Sequence, residues 1–430
     1  MKSIEPRTLK GFRDFLPEKQ IARQRFIDTI KKSYELFGFD PLETPALEYA
    51  DILTGKYGEE GDKLMYRFKD NGDRDVALRY DLTIPLARVA AQYGEIKKPF
   101  KRYQISPVWR AENTQRGRFR EFYQCDADII GSNSPLADAE VIVLGATALR
   151  ALNVTEFIFR INHREILKDF YNSLSIDAET QLLVLREVDK IDKIGKDGVI
   201  ENLGKLNLSK EVSEAIVEFA GTRIESLDDV SKTIAKYPAL QESLSKLQEI
   251  ISNAMTLDST LPWIIDFSIA RGLDYYTGMI LETTLTKLPG IGSVFSGGRY
   301  DNLIGMFGNK QIPAVGASIG LDRLYAALEE LGVVKEERTV TSVLVTNFDS
   351  KFQSEYLKIV SELRAANINT SLFFDTAEPK KQFVYAEDRK IKFVIVYGED
   401  EAKEGKITIK DLEKGSQTKV DRDHLVKSLS

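Results

Sequence analysis

The chain has 430 residues, 43% hydrophobic and 29% charged, a length that predicts roughly two to four packed units. One cysteine and two histidines exclude a disulfide framework and a Cys/His zinc site, and a net charge of −6 argues against a chain that coats nucleic acid through a global positive field. The first residues show no apolar signal region, and no segment approaches the roughly 18 apolar residues of a spanning helix. We therefore expect a cytoplasmic protein without membrane association.

An amphipathic helix is predicted from Pro17 to Gly38, where apolar residues recur at helical spacing and a glycine ends the run. From Phe100 to Gly131 two extended runs flank the polar segment AENTQRG, which predicts a long β-hairpin. Between Lys97 and Glu121 there are eight Lys or Arg and two Glu. Contact with nucleic acid is therefore expected to be local to this hairpin.

The rest of the chain predicts a core unit, an insertion and a smaller domain. Residues 175–260 have the pattern of an inserted helical module, after which extended segments return, and the core unit closes at residue 328. Residues 329–339 are charged and predict a linker. Residues 340–430 alternate as β-α-β-α-β-β, which predicts a small α/β domain with a mixed sheet.

The second arm of the hairpin carries a ladder of polar side chains. Alternate residues of a strand share a face, so one face of this arm is mostly apolar. The other face carries Arg118, Arg120, Phe122, Gln124, Asp126 and Asp128. A solvated face would explain the pattern, but the neighbouring aromatic residues favour the floor of a cleft, in which guanidiniums suit phosphate and carboxylates suit an ammonium group.

Two later segments concentrate polar residues between glycines. RGLDYYTG (residues 271–278) contains an arginine and two tyrosines that would face opposite sides of a regular strand. In SGGRYD (residues 296–301) consecutive glycines permit close backbone approach to a ligand. The alternative for RGLDYYTG is a turn that enters an ordinary strand, and a plain turn explains SGGRYD equally well.

The segment PAVGASIGLDRL predicts a strand that ends at Gly320 and a helix that follows it, with Arg323 in the first turn. A cation there opposes the helix dipole, which makes sense if both bind an anion, although an ion pair with an acid is equally plausible. The same segment matches G-x-S-x-G around Ser318, so a serine hydrolase is a remote alternative. His163 is expected to be structural at a helix start and His424 to lie at the surface. A P-loop and a G-x-G-x-x-G fingerprint after a strand are both missing from the sequence.

Taken together, these segments resemble the class II aminoacyl-tRNA synthetases and, within them, the histidyl-tRNA synthetase family. The hairpin resembles motif 2, PAVGASIGLDRL resembles motif 3, and GFDPLETPALE with Pro45 resembles motif 1, while ALRYDLTIPLAR, RGLDYYTG and SGGRYD resemble histidine-specific signatures. The resemblance covers nearly the whole chain. It implies an α+β protein with an antiparallel-sheet catalytic domain (1–328, with the helical insertion) and a C-terminal α/β anticodon-binding domain (340–430).

The resemblance also implies roles for individual residues. Arg110, Arg271 and Arg323 would be catalytic, holding the phosphates of ATP. The residues implied for ATP binding are Arg110, Glu112, Arg118, Phe122 and Arg323. Those implied for histidine binding are Asp81, Thr83, Gln124, Asp128, Tyr275, Tyr276 and Tyr300. Asp81 and Asp128 stand where the commonest bacterial pattern has Glu. Gln115 and Arg116 would meet the acceptor end of tRNA.

The implied reaction is attack of the histidine carboxylate on the α-phosphorus of ATP, followed by transfer of histidine to tRNA(His). Mg²⁺ should accompany ATP, with protein ligands that the sequence does not identify, and motif 1 implies a homodimer. The principal alternative is a catalytically silent paralogue such as the regulatory subunit of ATP phosphoribosyltransferase. Such paralogues usually lack the C-terminal domain and erode RGLDYY, whereas this chain has both.

Overall fold

The computed structural model describes residues 4–55, 58–269, 276–308, 310–334 and 337–429. The chain divides into two compact units. The first unit comprises Met1–Arg13 and Phe26–Val333, and the second comprises Asp14–Arg25 and Val334–Ser430.

The first unit is built on a nine-stranded sheet with the strand order β1-β5-β6-β12-β11-β10-β7-β9-β8. Its pairings are antiparallel except β1 with β5 and β7 with β9, which are parallel. A smaller sheet has the order β2-β4-β3. The strands are β1 (Asp40–Pro41), β2 (Leu47–Tyr49), β3 (Arg67–Lys69), β4 (Asp75–Leu78), β5 (Phe100–Trp109), β6 (Glu121–Ile130), β7 (Phe157–His163), β8 (Arg223–Ile224), β9 (Trp263–Asp266), β10 (Met279–Leu285), β11 (Phe295–Arg299) and β12 (Ala314–Gly320).

Helices precede, separate and follow these strands. The predicted first helix is confirmed as α1, which begins at Pro17 and ends at Leu36. The others as far as residue 330 are α2 (Ala50–Leu53), α3 (Gly58–Lys63), α4 (Thr83–Gln92), α5 (Pro135–Ala151), α6 (Arg164–Ser173), α7 (Ala178–Val188), α8 (Ile191–Gly204), α9 (Lys210–Ala220), α10 (Leu227–Lys236), α11 (Gln241–Leu257) and α12 (Leu321–Glu330).

The predicted hairpin is confirmed as β5 and β6, which pair over their full length from Phe100 with Ile130 to Trp109 with Glu121. This register sets Arg102 opposite Asp128. Because opposed residues in an antiparallel pair point to the same face, the two charges meet on one side of the sheet. The hairpin thereby places a cation beside the carboxylates of the predicted ladder.

The insertion contains a strand as well as the predicted helices. Asp177, Ser209 and Ser226 cap α7, α9 and α10 by accepting backbone N–H groups, as residues of these types do at helix starts. Between α9 and α10 the two-residue strand β8 pairs with β9, so the insertion continues the main sheet. The sequence prediction missed β8 because two residues carry no alternation.

The second unit contains a five-stranded mixed sheet with the order β14-β13-β15-β16-β17. The predicted alternation is confirmed as far as β16, and the structure adds α15, β17 and α16. Strand β17 was missed because QTKV is polar and the strand lies exposed at the sheet edge. The elements are β13 (Val343–Val345), α13 (Gln353–Ala365), β14 (Thr370–Leu372), α14 (Pro379–Asp388), β15 (Phe393–Val396), α15 (Glu399–Glu404), β16 (Lys406–Asp411), β17 (Ser416–Asp421) and α16 (Leu425–Leu429).

A buried ion pair joins β11 to α5. Arg299 in the SGGRYD segment donates Nε to Asp138 Oδ1 at 3.1 Å, and the Asp138 side chain is only 2% exposed. Burial raises the pKa of Asp138, and the Arg299 guanidinium opposes that shift. The first four residues of SGGRYD thus lie in strand β11, which ends at the buried Arg299.

Removal of one partner from this pair leaves a buried charge uncompensated. We expect Asp138→Ala to lower the free energy of unfolding by about 3–5 kcal/mol. Urea unfolding followed by tryptophan fluorescence measures this loss in the first unit, since Trp109 and Trp263 both lie there. Glu201→Ala, which removes an exposed partner of Lys205, is the control and should leave the midpoint nearly unchanged.

Candidate active site

One cleft in the first unit gathers most of the predicted site residues. It has a volume of about 330 Å³ and lies over the middle strands of the nine-stranded sheet. Eleven of the predicted residues line it: Asp81, Thr83, Arg110, Glu112, Arg118, Phe122, Gln124, Asp128, Tyr276, Tyr300 and Arg323. Residues as far apart in sequence as Asp81 and Arg323 therefore converge, and the neighbouring strands β6, β12 and β11 bring most of them together.

Glycines on β11 and β12 make room for the side chains of the floor. A Cβ on Gly316, which is paired with Asp128, would collide with the Asp128 carboxylate. A Cβ on Gly298 would lie 2.5 Å from Met279 O and 3.0 Å from the Tyr276 ring. The glycines of SGGRYD and PAVGASIG thus permit close approach of neighbouring side chains.

Acidic groups dominate one end of the floor. Asp126 and Asp128 are both 3% exposed, and Arg102, fully buried beneath them, places Nη2 2.8 Å from Asp128 Oδ2. Asp128 Oδ1 also accepts a hydrogen bond from the Tyr300 hydroxyl. Burial raises the pKa of Asp126 to about 7 and raises that of Asp128, while Arg102 opposes both shifts.

Asp81 approaches this acidic end from the start of α4. Its Oδ1 accepts the backbone N–H groups of Thr83 at 3.1 Å and of Ile84 at 3.0 Å. The carboxylate is 5% exposed, and these bonds fix its position at the helix start. A third acid is therefore held rigidly beside the cleft.

Arginines line the other end of the cleft. The Arg110 Nε donates to Tyr80 O at 3.0 Å, and its guanidinium carbon lies 4.4 Å from the Tyr80 ring centroid and 5.2 Å from that of Phe122. Arg323 Nη1 donates to Ser293 O at 2.7 Å, and Arg118 lies 3.9 Å from Glu112. This end suits an anion beside a flat ring.

The strand–helix junction at Arg323 is anchored by its neighbour. Asp322 Oδ2 accepts the backbone N–H of Tyr123 at 2.8 Å, and Asp322 Oδ1 accepts from Arg13 at 2.7 Å. The predicted end of the strand at Gly320 is confirmed. This anchoring of α12 to β6 determines where Arg323 reaches the cleft.

One residue of the predicted ladder lies elsewhere. The prediction that Arg120 lies on the cleft face is wrong, because β6 begins at Glu121 and strand alternation does not extend to Arg120. Arg120 Nε instead donates to Glu112 O at 3.2 Å. For the same reason Arg118 and Phe119, adjacent in sequence, both line the cleft.

Two of the remaining predicted residues, Gln115 and Arg116, do not line the cleft. Gln115 and Arg116 lie in the loop between β5 and β6, where Arg116 forms an ion pair with Glu330. Arg271 and Tyr275 lie outside the described residues.

Sequence reasoning gave no role to Arg102 and no individual role to Asp126. Asp126 belongs to the polar face, and Arg102 can be found by aligning the hairpin arms, because Trp109 opposite Glu121 sets Arg102 opposite Asp128. No sequence motif signals either residue.

The serine-hydrolase alternative is wrong. Ser318 lies within β12 rather than at a turn, and its Oγ accepts a hydrogen bond from Gln124 Nε2 at 3.3 Å. Neither histidine lines the cleft. As predicted, His163 is structural, because its Nδ1 caps α6 by accepting from Glu165 N, and the His424 side chain is 66% exposed.

Comparison with known proteins gives the family. A family model described as histidyl-tRNA synthetase matches residues 11–324, and one described as an anticodon binding domain matches residues 342–430. The chain belongs to the histidyl-tRNA synthetase family. The match to the histidyl-tRNA synthetase model includes every residue that lines the cleft.

Relatives resemble the chain over nearly its whole length. Proteins named histidine–tRNA ligase from Wolinella succinogenes and Rhodopirellula baltica are each 43% identical over 422 residues, covering 96% and 95% of this chain and 95% and 94% of theirs. A histidyl-tRNA synthetase structure from Nostoc sp. has a TM-score of 0.89 at 33% identity, covering 99% of both chains. The histidyl-tRNA synthetase fold is therefore shared throughout.

Within the described residues, no helix is long and apolar enough to cross a membrane.

The acidic floor should make stability depend on pH. Because the folded-state pKa of Asp126 is raised, the folded protein keeps a proton that the unfolded chain releases between about pH 4 and pH 7, so this group lowers stability as pH rises through that window. We expect the stability of Asp126→Asn relative to the parent protein to rise from pH 5 to pH 7 and to level off above. Urea unfolding at several pH values tests this, and a pH-independent difference would contradict it.

Proposed function

We propose that this protein is a histidine–tRNA ligase that activates L-histidine with ATP, releases pyrophosphate, and then transfers histidine from the adenylate to the 3′ end of tRNA(His). The proposal rests mainly on one observation, that a single cleft has an acidic floor at one end and arginines at the other. Membership of the histidyl-tRNA synthetase family and the full-length relatives support it.

ATP would occupy the end of the cleft with the arginines. Arg110 and Arg323 would hold the α- and γ-phosphates, with Arg118 close by, and Phe122 and Glu112 would bound the adenine. The 5.2 Å separation of the Arg110 guanidinium from the Phe122 ring centroid supports this assignment. Arg271 is proposed from the sequence to approach the α-phosphate. Mg²⁺ would accompany ATP, bound chiefly through phosphate oxygens and water.

Histidine would occupy the acidic end. Asp81, Thr83 and Gln124 would bind its ammonium group, and Asp128 and Tyr276 would read the imidazole, with Tyr300 and Tyr275 beside them. The hydrogen bond between Tyr300 and Asp128 supports a fixed carboxylate at this position. Discrimination should be strong, because a different side chain would leave buried polar groups unpaired.

The chemistry needs positioning rather than a general base. The histidine carboxylate is ionised at neutral pH and attacks the α-phosphorus, while pyrophosphate leaves with the electrons of the broken P–O bond. Arginines that neutralise charge developing on the phosphates would supply most of the rate acceleration. The cleft supplies these groups without recruiting either histidine of the chain.

Loss of a phosphate-binding arginine should reduce adenylate formation. We expect Arg110→Ala to lower histidine-dependent ATP–pyrophosphate exchange by about 10²–10³-fold, since it removes a charge from the developing transition state. The sequence-based proposal predicts a loss of several powers of ten for Arg271→Ala. Arg186→Ala, at an exposed position on α7, is the matched control and should exchange normally. Near-normal exchange by Arg110→Ala would contradict the assignment.

The acceptor end of tRNA would approach the loop between β5 and β6, and the anticodon would meet the domain at residues 342–430. The match to an anticodon-binding model supports the second contact. The motif 1 segment around Pro45 is proposed to form the interface of a homodimer.

Arg116 allows the tRNA assignment to be tested separately from activation. We expect Arg116→Ala to slow single-turnover transfer of histidine to tRNA about 10-fold while leaving pyrophosphate exchange unchanged. Glu330→Gln removes the ion-pair partner of Arg116 but leaves the positive charge of Arg116 in place, so transfer should remain normal. Equal losses in the two variants would show that the ion pair, rather than tRNA contact, matters.

The catalytically silent paralogue is the competing function. Histidine-dependent pyrophosphate exchange by the unmodified protein decides between the ligase and the regulatory paralogue. Both functions require histidine binding, but only the ligase forms an adenylate. Histidine binding without exchange would favour the regulatory function.

A further inference from the structure

Asp126 lies in the middle of the proposed histidine subsite, yet the motifs give it no role. On β6 it lies between Gln124 and Asp128, and alternate residues of a strand are about 6.6 Å apart on the same face. Asp126 is among the residues that line the cleft. Asp126 therefore lies on β6 between Gln124, which is proposed to bind the ammonium group, and Asp128, which is proposed to bind the imidazole.

The hydrogen bonds of Asp126 are incomplete. The Ser318 hydroxyl, which accepts from Gln124 Nε2, hydrogen-bonds with Asp126. Among the described residues, however, Asp126 Oδ1 and Gln124 Oε1 are buried without a hydrogen-bond partner. Buried polar atoms are normally paired, so these two indicate groups that a ligand supplies.

The charges at the acidic end are also unbalanced. Asp81, Asp126 and Asp128 surround this end, and the described cation buried with them is Arg102. The neighbouring elements add neutral groups: Gln104 on β5, Tyr34 on α1, Ser318 on β12 and Tyr300 after β11. When all three acids are ionised, two negative charges are in excess; the ammonium of histidine would compensate one of them, and a protonated ring would compensate the other.

We propose that Asp126 is a specificity-determining residue that, together with Asp128, binds the side chain of L-histidine as its imidazolium cation. This inference rests on the proposed function. It adds to that function the protonation state of the bound histidine side chain and a residue, Asp126, that recognises this state.

The size of the electrostatic effects favours the cation. The imidazole of free histidine has a pKa of about 6.5, and a carboxylate within about 4–6 Å raises such a value by roughly 1–3 units. Burial acts in the opposite direction, as it does at His163, whose pKa falls to about 4. His163 accepts a backbone N–H at Nδ1, which stabilises its neutral form, whereas the subsite presents two carboxylates.

Proton balance is simple. Where the Asp126–Asp128 pair holds a proton in the empty site, that proton moves from a carboxyl oxygen to a ring nitrogen. Where the pair is ionised, the proton comes from water. Only O–H and N–H bonds change, and the histidine carboxylate remains free to attack ATP.

The ring nitrogens of bound histidine report this protonation directly. We expect ¹⁵N NMR of labelled L-histidine bound at pH 8, without ATP, to show an imidazolium ring in the unmodified protein, although the free ring is neutral at this pH. In Asp126→Asn the bound ring should be neutral. The KM for histidine in pyrophosphate exchange should rise about 10- to 100-fold, while the KM for ATP should be unchanged.

Asp411→Asn is the matched control, because it changes a buried aspartate of the second unit, where Oδ1 accepts from Lys414 N at 2.9 Å, and should leave the spectrum and both KM values unchanged. A neutral ring in the unmodified protein would overturn the inference without reference to any variant. A raised KM with an imidazolium ring retained in Asp126→Asn would assign Asp126 to the ammonium group and also overturn it. Failure of the unmodified protein to catalyse histidine-dependent ATP–pyrophosphate exchange would instead refute the proposed function.

Discussion

The candidate site depends on the ion pair between Arg102 and Asp128 inside the β5–β6 hairpin. A fully buried guanidinium is tolerated only beside compensating acceptors, and Arg102 has Asp128 Oδ2 at 2.8 Å and Leu82 O at 3.2 Å. The register of the hairpin brings the pair together, and Gly316 on β12 leaves space for the carboxylate. A shift of one residue in this register would place the two charges on opposite faces of the sheet and separate them.

This constraint separates the cleft into two electrostatic environments. The buried end has more acids than bases and therefore attracts cations, while the more open end presents arginines stacked near aromatic rings. Histidine would bring a cationic ammonium group to the acidic end, whereas its carboxylate and the α-phosphate of ATP are both anionic where they react, so that the arginines must offset their repulsion. A single sheet face can position both substrates because β6 runs through both environments, from Phe122 to Asp128.

Much of the fold and many of the cleft residues could be predicted from sequence, because alternation and caps are local signals. The β6 ladder from Phe122 to Asp128 follows from its period of two, and the start of α12 follows from Gly320 and its apolar stripe. Arg120 was misplaced because the strand ends before it, a boundary that alternation does not reveal. The importance of Arg102 and the unpartnered oxygen of Asp126 depend on contacts between strands, which a single segment cannot show. The position of Arg323 in the first turn of α12 already suggested an anion, but its convergence with Arg110 on ATP came from the family resemblance.

The two-residue strand β8 connects the helical insertion to the edge of the nine-stranded sheet. Because β8 pairs with β9, it covers backbone N–H and C=O groups at the rim of the nine-stranded sheet. Excising residues 175–260 would uncover that rim and offer it to strands of other molecules. The segment therefore covers part of the edge that β9 would otherwise present.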